Sequence, residues 1–244
     1  MQIVVDGVLT RYEQIGHKPQ TLLILHGWMR SLDEWLPVAK QLSESYRVIL
    51  LDFPGFGKTE KPKTDFTIYD YATFVEQFLD KLEINKVTLL GHSFGGRVGI
   101  IMASKSNKIS DLVLVDAAGV EKRTTAAKIK ISIFKLAKVF LPKKLVTKLR
   151  NKIGSRDYKS AGEMRKIFLN VINEDLTYLL SKISQPTYII WGNKDEEVPQ
   201  WKTKKMKQLI PHTRLRVVWG SGHSPHLEKP LDFMEILNDL LNLK

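Results

Sequence analysis

Short apolar runs recur along the chain: IVV near the start, TLLILHG at 21–27, RVILLD at 47–52, VTLLG at 87–91, LVLVD at 112–116, TYIIWG at 187–192 and LRVVWG at 215–220. Each is rich in Val, Ile or Leu and runs up to a Gly or Asp. Continuous rather than alternating apolarity predicts strands covered on both faces, as in a parallel sheet. The first residues, MQIVVDGVLTRYEQIG, show strand-like alternation instead. Between the runs the period lengthens. Ile68, Tyr71, Phe74, Val75, Phe78, Leu79 and Leu82 share one face of a helix over 68–82, and PLDFMEILNDLLNL predicts a second helix near the end. Alternating strand and helix predicts a doubly wound, mostly parallel α/β sheet.

One interval breaks this rhythm. From 117 to 186 there is no convincing strand, only helical patterns punctuated by Pro142, Gly154 and Gly162. Without a Gly/Ser linker or internal repeat, this segment reads as a helical insertion that packs on the sheet as a lid. The expected division is a core of 1–119 and 183–244 with a lid of 120–182. At 244 residues the chain is the size of one α/β domain.

Composition adds little and charge adds more. An apolar fraction of 43% and a charged fraction of 26% are ordinary for a globular protein. No leader pattern and no apolar run of about 18 residues is present, so the expected location is cytoplasmic. With no cysteine, disulfide and thiolate chemistry are excluded. The net charge of +12 has a local source, since positions 122–152 carry many Lys and Arg residues and no acid. In AAKIKISIFKLAKVF, Ile129, Ile133, Leu136, Ala137 and Phe140 share a helical face, with Lys128, Lys135 and Lys138 mostly elsewhere. An apolar roof with hydrated lysines is the expected reading. Attraction of an anionic substrate and docking on anionic lipid are its alternatives. Without an aromatic platform or reading motif, nucleic acid is not an expected partner.

Candidate chemistry gathers at the ends of the predicted strands, where an open α/β sheet presents polar groups to a crevice. Gly91-His92-Ser93-Phe94-Gly95 lies between a strand and a helix beginning near Phe94, the context that G-x-S-x-G requires. A serine there is held exposed on a sharp turn, but it needs a base and an orienting acid. WGSGHSPHLEKP supplies His223, with His226 three residues on, and WGNKDEEVP supplies Asp195, flanked by Glu196 and Glu197 that read as a solvated acidic loop. Asp116 ends an earlier strand and is an alternative acid. His17 and His212 read as solvated, His26 as a buttress and His92 as part of the turn around Ser93. Asp52-FPGFGK has glycines but no G-x-x-x-x-G-K-[ST], so it reads as a tight turn in the pocket wall.

LHGW, DFPGFGKTEKP, GHSFGG, LVLVDAAG, WGNKDEEVP and GSGHSPHLEKP together resemble an α/β-hydrolase of the small esterase, lactonase and carbon-carbon hydrolase group, over nearly the whole chain. The resemblance implies the α/β-hydrolase fold and the chain order Ser93, Asp195, His223 for nucleophile, acid and base. Its Gly-His pattern after the last strand favours His223 over His226. It further implies an oxyanion hole from the backbone N–H groups of Trp28 and Phe94, and no metal or organic cofactor. A Ser at this turn argues against the carboxylate-nucleophile dehalogenases and epoxide hydrolases. The expected activity is carboxylesterase action on short to medium acyl esters by a monomer or homodimer. Lactonase (acyl-homoserine lactones included), carbon-carbon hydrolase and perhydrolase action are alternatives, as is a receptor or membrane-docking protein on a hydrolase shell.

Overall fold

In the computed structural model, which describes residues 1–121 and 161–243, the chain opens with a hairpin. Strands β1 (Gln2–Val5) and β2 (Val8–Ile15) pair antiparallel across Asp6 and Gly7, whose φ values are 48° and 71°. A two-residue Asp-Gly turn with positive φ follows the natural twist of the strands it joins. Then come β3 (Thr21–Leu25), β4 (Arg47–Leu51), β5 (Val87–His92), β6 (Ile109–Val115), β7 (Thr187–Gly192) and β8 (Thr213–Val218). The eight strands form one sheet in the order β1-β2-β4-β3-β5-β6-β7-β8. Only β1–β2 and β2–β4 are antiparallel, so the mostly parallel, doubly wound sheet is as the apolar runs predict.

Side chains alternate across a strand, and the helices divide accordingly. The described helices are α1 (Leu36–Leu42), α2 (Ile68–Lys81), α3 (Phe94–Lys105), α4 (Arg165–Ile172), α5 (Gln200–Leu209), α6 (Pro225–Glu228) and α7 (Pro230–Leu241). Leu23 and Leu25 of β3 pack in one core with the apolar faces of α2 and α3. Leu22 and Ile24 pack in the other with Val38 of α1 and Phe233 and Leu237 of α7. Helix α2 starts where the period predicts, because Thr67 and Asp70 cap each other's backbone N–H groups. One apolar run is corrected. LRVVWG is not covered on both faces: β8 is the edge strand, Arg214 and Arg216 are exposed, and Trp219 beyond its end is 73% exposed.

The predicted lid falls for its greater part, 122–160, outside the described residues, and the basic amphipathic segment falls there with it. Its later part is described. There Ile167, Phe168 and Val171 of α4 join the core shared by α2 and α3. Where the chain departs and returns, Leu176 N–H donates to Gly119 O (2.8 Å) and Glu121 N–H to Asp175 Oδ1 (3.3 Å). Among the described residues no helix is long and apolar enough to cross a membrane.

Candidate active site

The turn from β5 into α3 is tight enough to constrain its residues. Ser93 holds φ 49° and ψ −105°, a conformation that L residues rarely adopt. A Cβ on Gly95 would stand 2.2 Å from Leu25 O, so this position admits glycine alone. The strain leaves the Ser93 hydroxyl at the turn's apex, above the N-terminus of α3, whose first N–H groups have no partner within the helix.

Two loops bring the other residues to it. His223, after β8, places Nε2 2.9 Å from Ser93 Oγ and Nδ1 2.8 Å from Asp195 Oδ2. The other carboxylate oxygen of Asp195 accepts the N–H groups of Glu197 (2.8 Å) and Val198 (2.9 Å). Burial pushes Asp195 upward, but the bond from His223, the charge of that ring and the two N–H groups outweigh it and hold the carboxyl below its usual range. Burial likewise lowers His223, and the bond and charge of Asp195 with the charge of Glu197 outweigh burial, leaving the imidazole above its usual value.

The remaining sequence candidates find other places. His26 is buried, donates from Nδ1 to Gly27 O (2.7 Å) and accepts Phe53 N–H at Nε2 (3.0 Å), which ties the end of β3 to the next loop. His92 donates from Nε2 to His223 O (2.7 Å). His226 stacks on Trp35 at 3.8 Å, with its Nε2 3.7 Å from Glu34 Oε1. His17 and His212 are exposed. Asp116 is buried and accepts Gly192 N–H (3.0 Å). Its burial, then the charge of Asp195, push it well above its usual value. Asp52 accepts Leu32 N–H (2.7 Å) and Lys58 N–H (2.9 Å), and its carboxylate fills the turn closed by Gly57. A buried anion there leaves no seat for a phosphate.

Trp28 and Phe94, whose rings meet edge to face at 5.4 Å, line a cavity of about 470 Å³ together with Ser93, His223, Phe168 and Val171. Charged residues line it too: Glu121 bridges Arg97 (3.3 Å) and Lys202 (2.9 Å). Arg97, one turn after Ser93, is buried and donates to the carbonyls of Val171, Ile172 and Glu174, clasping the end of α4. Sequence reasoning missed it, although a lone cation in GGRVGIIMA was the available signal. It also missed Glu197, which does not point into solvent alone: Oε2 lies 3.4 Å from His223 Nε2.

The family model described as the alpha/beta hydrolase fold matches residues 20–137 and 120–230. Monoacylglycerol lipase of Mus musculus is 28% identical over 93% of this chain and 76% of its own length. Among solved structures, a bacterial membrane phospholipase A superposes with a TM-score of 0.80 at 25% identity, covering 99% of this chain and 85% of the other. An esterase from Exiguobacterium antarcticum superposes at 0.78 and 26% identity, covering 99% and 98%. With a family match across most of its length and the sheet order, the chain belongs to the α/β-hydrolase fold family.

Proposed function

We propose that this chain is a serine hydrolase that cleaves carboxylic esters of short to medium acyl chains through an acyl-enzyme. The observation that carries the reading is the continuous line Ser93 Oγ, His223 Nε2, His223 Nδ1, Asp195 Oδ2, with gaps of 2.9 and 2.8 Å, at the wall of a cavity lined by both apolar and charged side chains. As Ser93 Oγ attacks the ester carbonyl carbon, its proton passes to His223 Nε2, and Asp195 holds the resulting imidazolium. The backbone N–H groups of Trp28 and Phe94 receive the oxyanion, each donor being worth about 10² to 10³ in rate. The imidazolium then protonates the departing alcohol. Water that gives its proton to His223 attacks the acyl carbon and frees the acid and Ser93. This sequence needs no metal or organic cofactor. The segment 120–182 serves as the lid over a core of 1–119 and 183–244, with α4 setting one wall of the pocket.

The ester is favoured over the related bonds by three similar proteins at 25% identity or more, named a monoacylglycerol lipase, a phospholipase A and an esterase, while an enol-lactonase and a meta-cleavage product hydrolase are similar at 21% and 24%. The test is a chain-length series of p-nitrophenyl esters beside a panel of lactones, with Ser93→Ala as control. Turnover is expected to be greatest on short and medium acyl esters and absent from the variant. A kcat/KM for lactone ring opening above that for every ester would replace this reading with the lactonase one.

A further inference from the structure

When His223 shares its Nδ1 proton with Asp195, Nε2 carries a lone pair, and two oxygens stand before it: Ser93 Oγ at 2.9 Å and Glu197 Oε2 at 3.4 Å. The serine hydroxyl can donate to that lone pair. A carboxylate cannot, and it meets this nitrogen favourably only when Nε2 bears a proton. Glu197 therefore faces the imidazolium as an ion pair and the neutral ring as a repulsive neighbour. Its backbone N–H is held by Asp195 Oδ1 at 2.8 Å, which fixes the point from which the side chain reaches the ring.

We propose that Glu197 is a positioning residue that acts through His223, accepting the Nε2 proton of the imidazolium in competition with Ser93 and so setting the pH at which the serine gains its base. This rests on the ester hydrolase reading above. Other charged or titratable groups also bear on the ring. Asp195 engages Nδ1, and Arg30 opposes protonation from the loop after β3. His92 and His226 lie behind it, both lowered first by burial, and Asp116, raised first by burial, lies beside Asp195. Asp195 is indispensable to the line of transfer, and burial holds the two histidines behind the ring below their usual value, against the opposing charge of Glu34 on His226. Glu197, 63% exposed at the cavity rim, is thus the anion that can be removed without breaking that line.

The sign follows from the charge. Glu197 favours the protonated ring, so it moves the acid limb of reactivity to higher pH, and removing its charge moves the limb down. A unit charge at this distance across solvent is worth up to about one pH unit, reduced by exposure and salt.

The test measures the second-order rate of Ser93 labelling by a fluorophosphonate between pH 5 and 10 in the full chain, in Glu197→Gln and in Glu197→Asp. The Gln variant is expected to show its acid limb about 0.3 to 0.8 unit lower, with an alkaline plateau within about threefold of the parent. The Asp variant should fall between. High salt should move the parent's limb toward that of the Gln variant and leave the latter in place. A Gln limb that superimposes on the parent's within about 0.1 unit, or moves upward, overturns the proposal. Titration of the His223 ring nitrogens by NMR reads the same displacement without chemistry. A displaced titration with no labelling at Ser93 would sink the hydrolase reading while leaving the Glu197–His223 coupling standing.

Discussion

The two sides of the His223 ring are built by opposite means. Behind it His92 and His226 lie with ring centroids 5.1 Å apart, among Trp35 and Phe233, and burial lowers both. In front stand Ser93, Asp195 and Glu197 at the edge of a cavity, and there an imidazole is raised instead. Three histidines within one small volume are the same chemical group. What separates His223 from its neighbours is a carboxylate in hydrogen-bond contact, Asp195 at 2.8 Å; His226 has Glu34 at 3.7 Å, which opposes its burial without outweighing it. The rear side supplies rigidity: His92 fixes the backbone of His223 through its carbonyl, and the Trp35–His226 stack packs the loop onto the sheet.

The comparison is broken most severely from the front. Ser93→Ala is expected to lower kcat by about 10⁴ to 10⁶, measured on the best p-nitrophenyl ester, because it removes the hydroxyl proposed to form the acyl-enzyme. Asp195→Asn should cost about 10³ to 10⁴ in kcat, since the amide leaves the histidine in the wrong tautomer while the fold persists. From the rear, Trp35→Ala removes a fully buried ring and should cost about 3 to 5 kcal/mol in urea unfolding, with a smaller loss of activity per folded molecule. Asp116→Asn should change kcat by less than about threefold, because the amide oxygen can keep the hydrogen bond that Asp116 accepts from Gly192 N–H while Asp195 remains the partner of His223. A large loss there would mean that Asp116, not Asp195, orients the base.

How far the sequence carries differs between the sides in the same way. The sheet, helix α2 and the β5–α3 turn were legible because hydrophobic period and glycine spacing are local signals. Ser93, Asp195 and His223 were legible because each follows a strand end, and the structure brings those three side chains together. The hairpin at Asp6–Gly7 left a turn dipeptide in the sequence that alternation alone did not resolve. Helices α1 and α5 are short or poorly amphipathic, with Lys202, Lys204, Lys205 and Lys207 diluting the apolar pattern of the second. Glu197 and Arg97 were illegible for a different reason. Their partners, His223 and the carbonyls at the end of α4, lie far along the chain, and an acid beside another acid or a cation in an apolar helix does not name its partner.

The central claim is that one hydroxyl, Ser93 Oγ, is activated by His223. Its most direct measurement is peptide mass spectrometry of the chain after reaction with a fluorophosphonate. A single phosphonyl adduct is expected on the peptide containing Ser93, formed at a rate that rises with pH as His223 loses its proton and abolished in His223→Ala. An unlabelled Ser93, or labelling that survives His223→Ala at the parental rate, would contradict it.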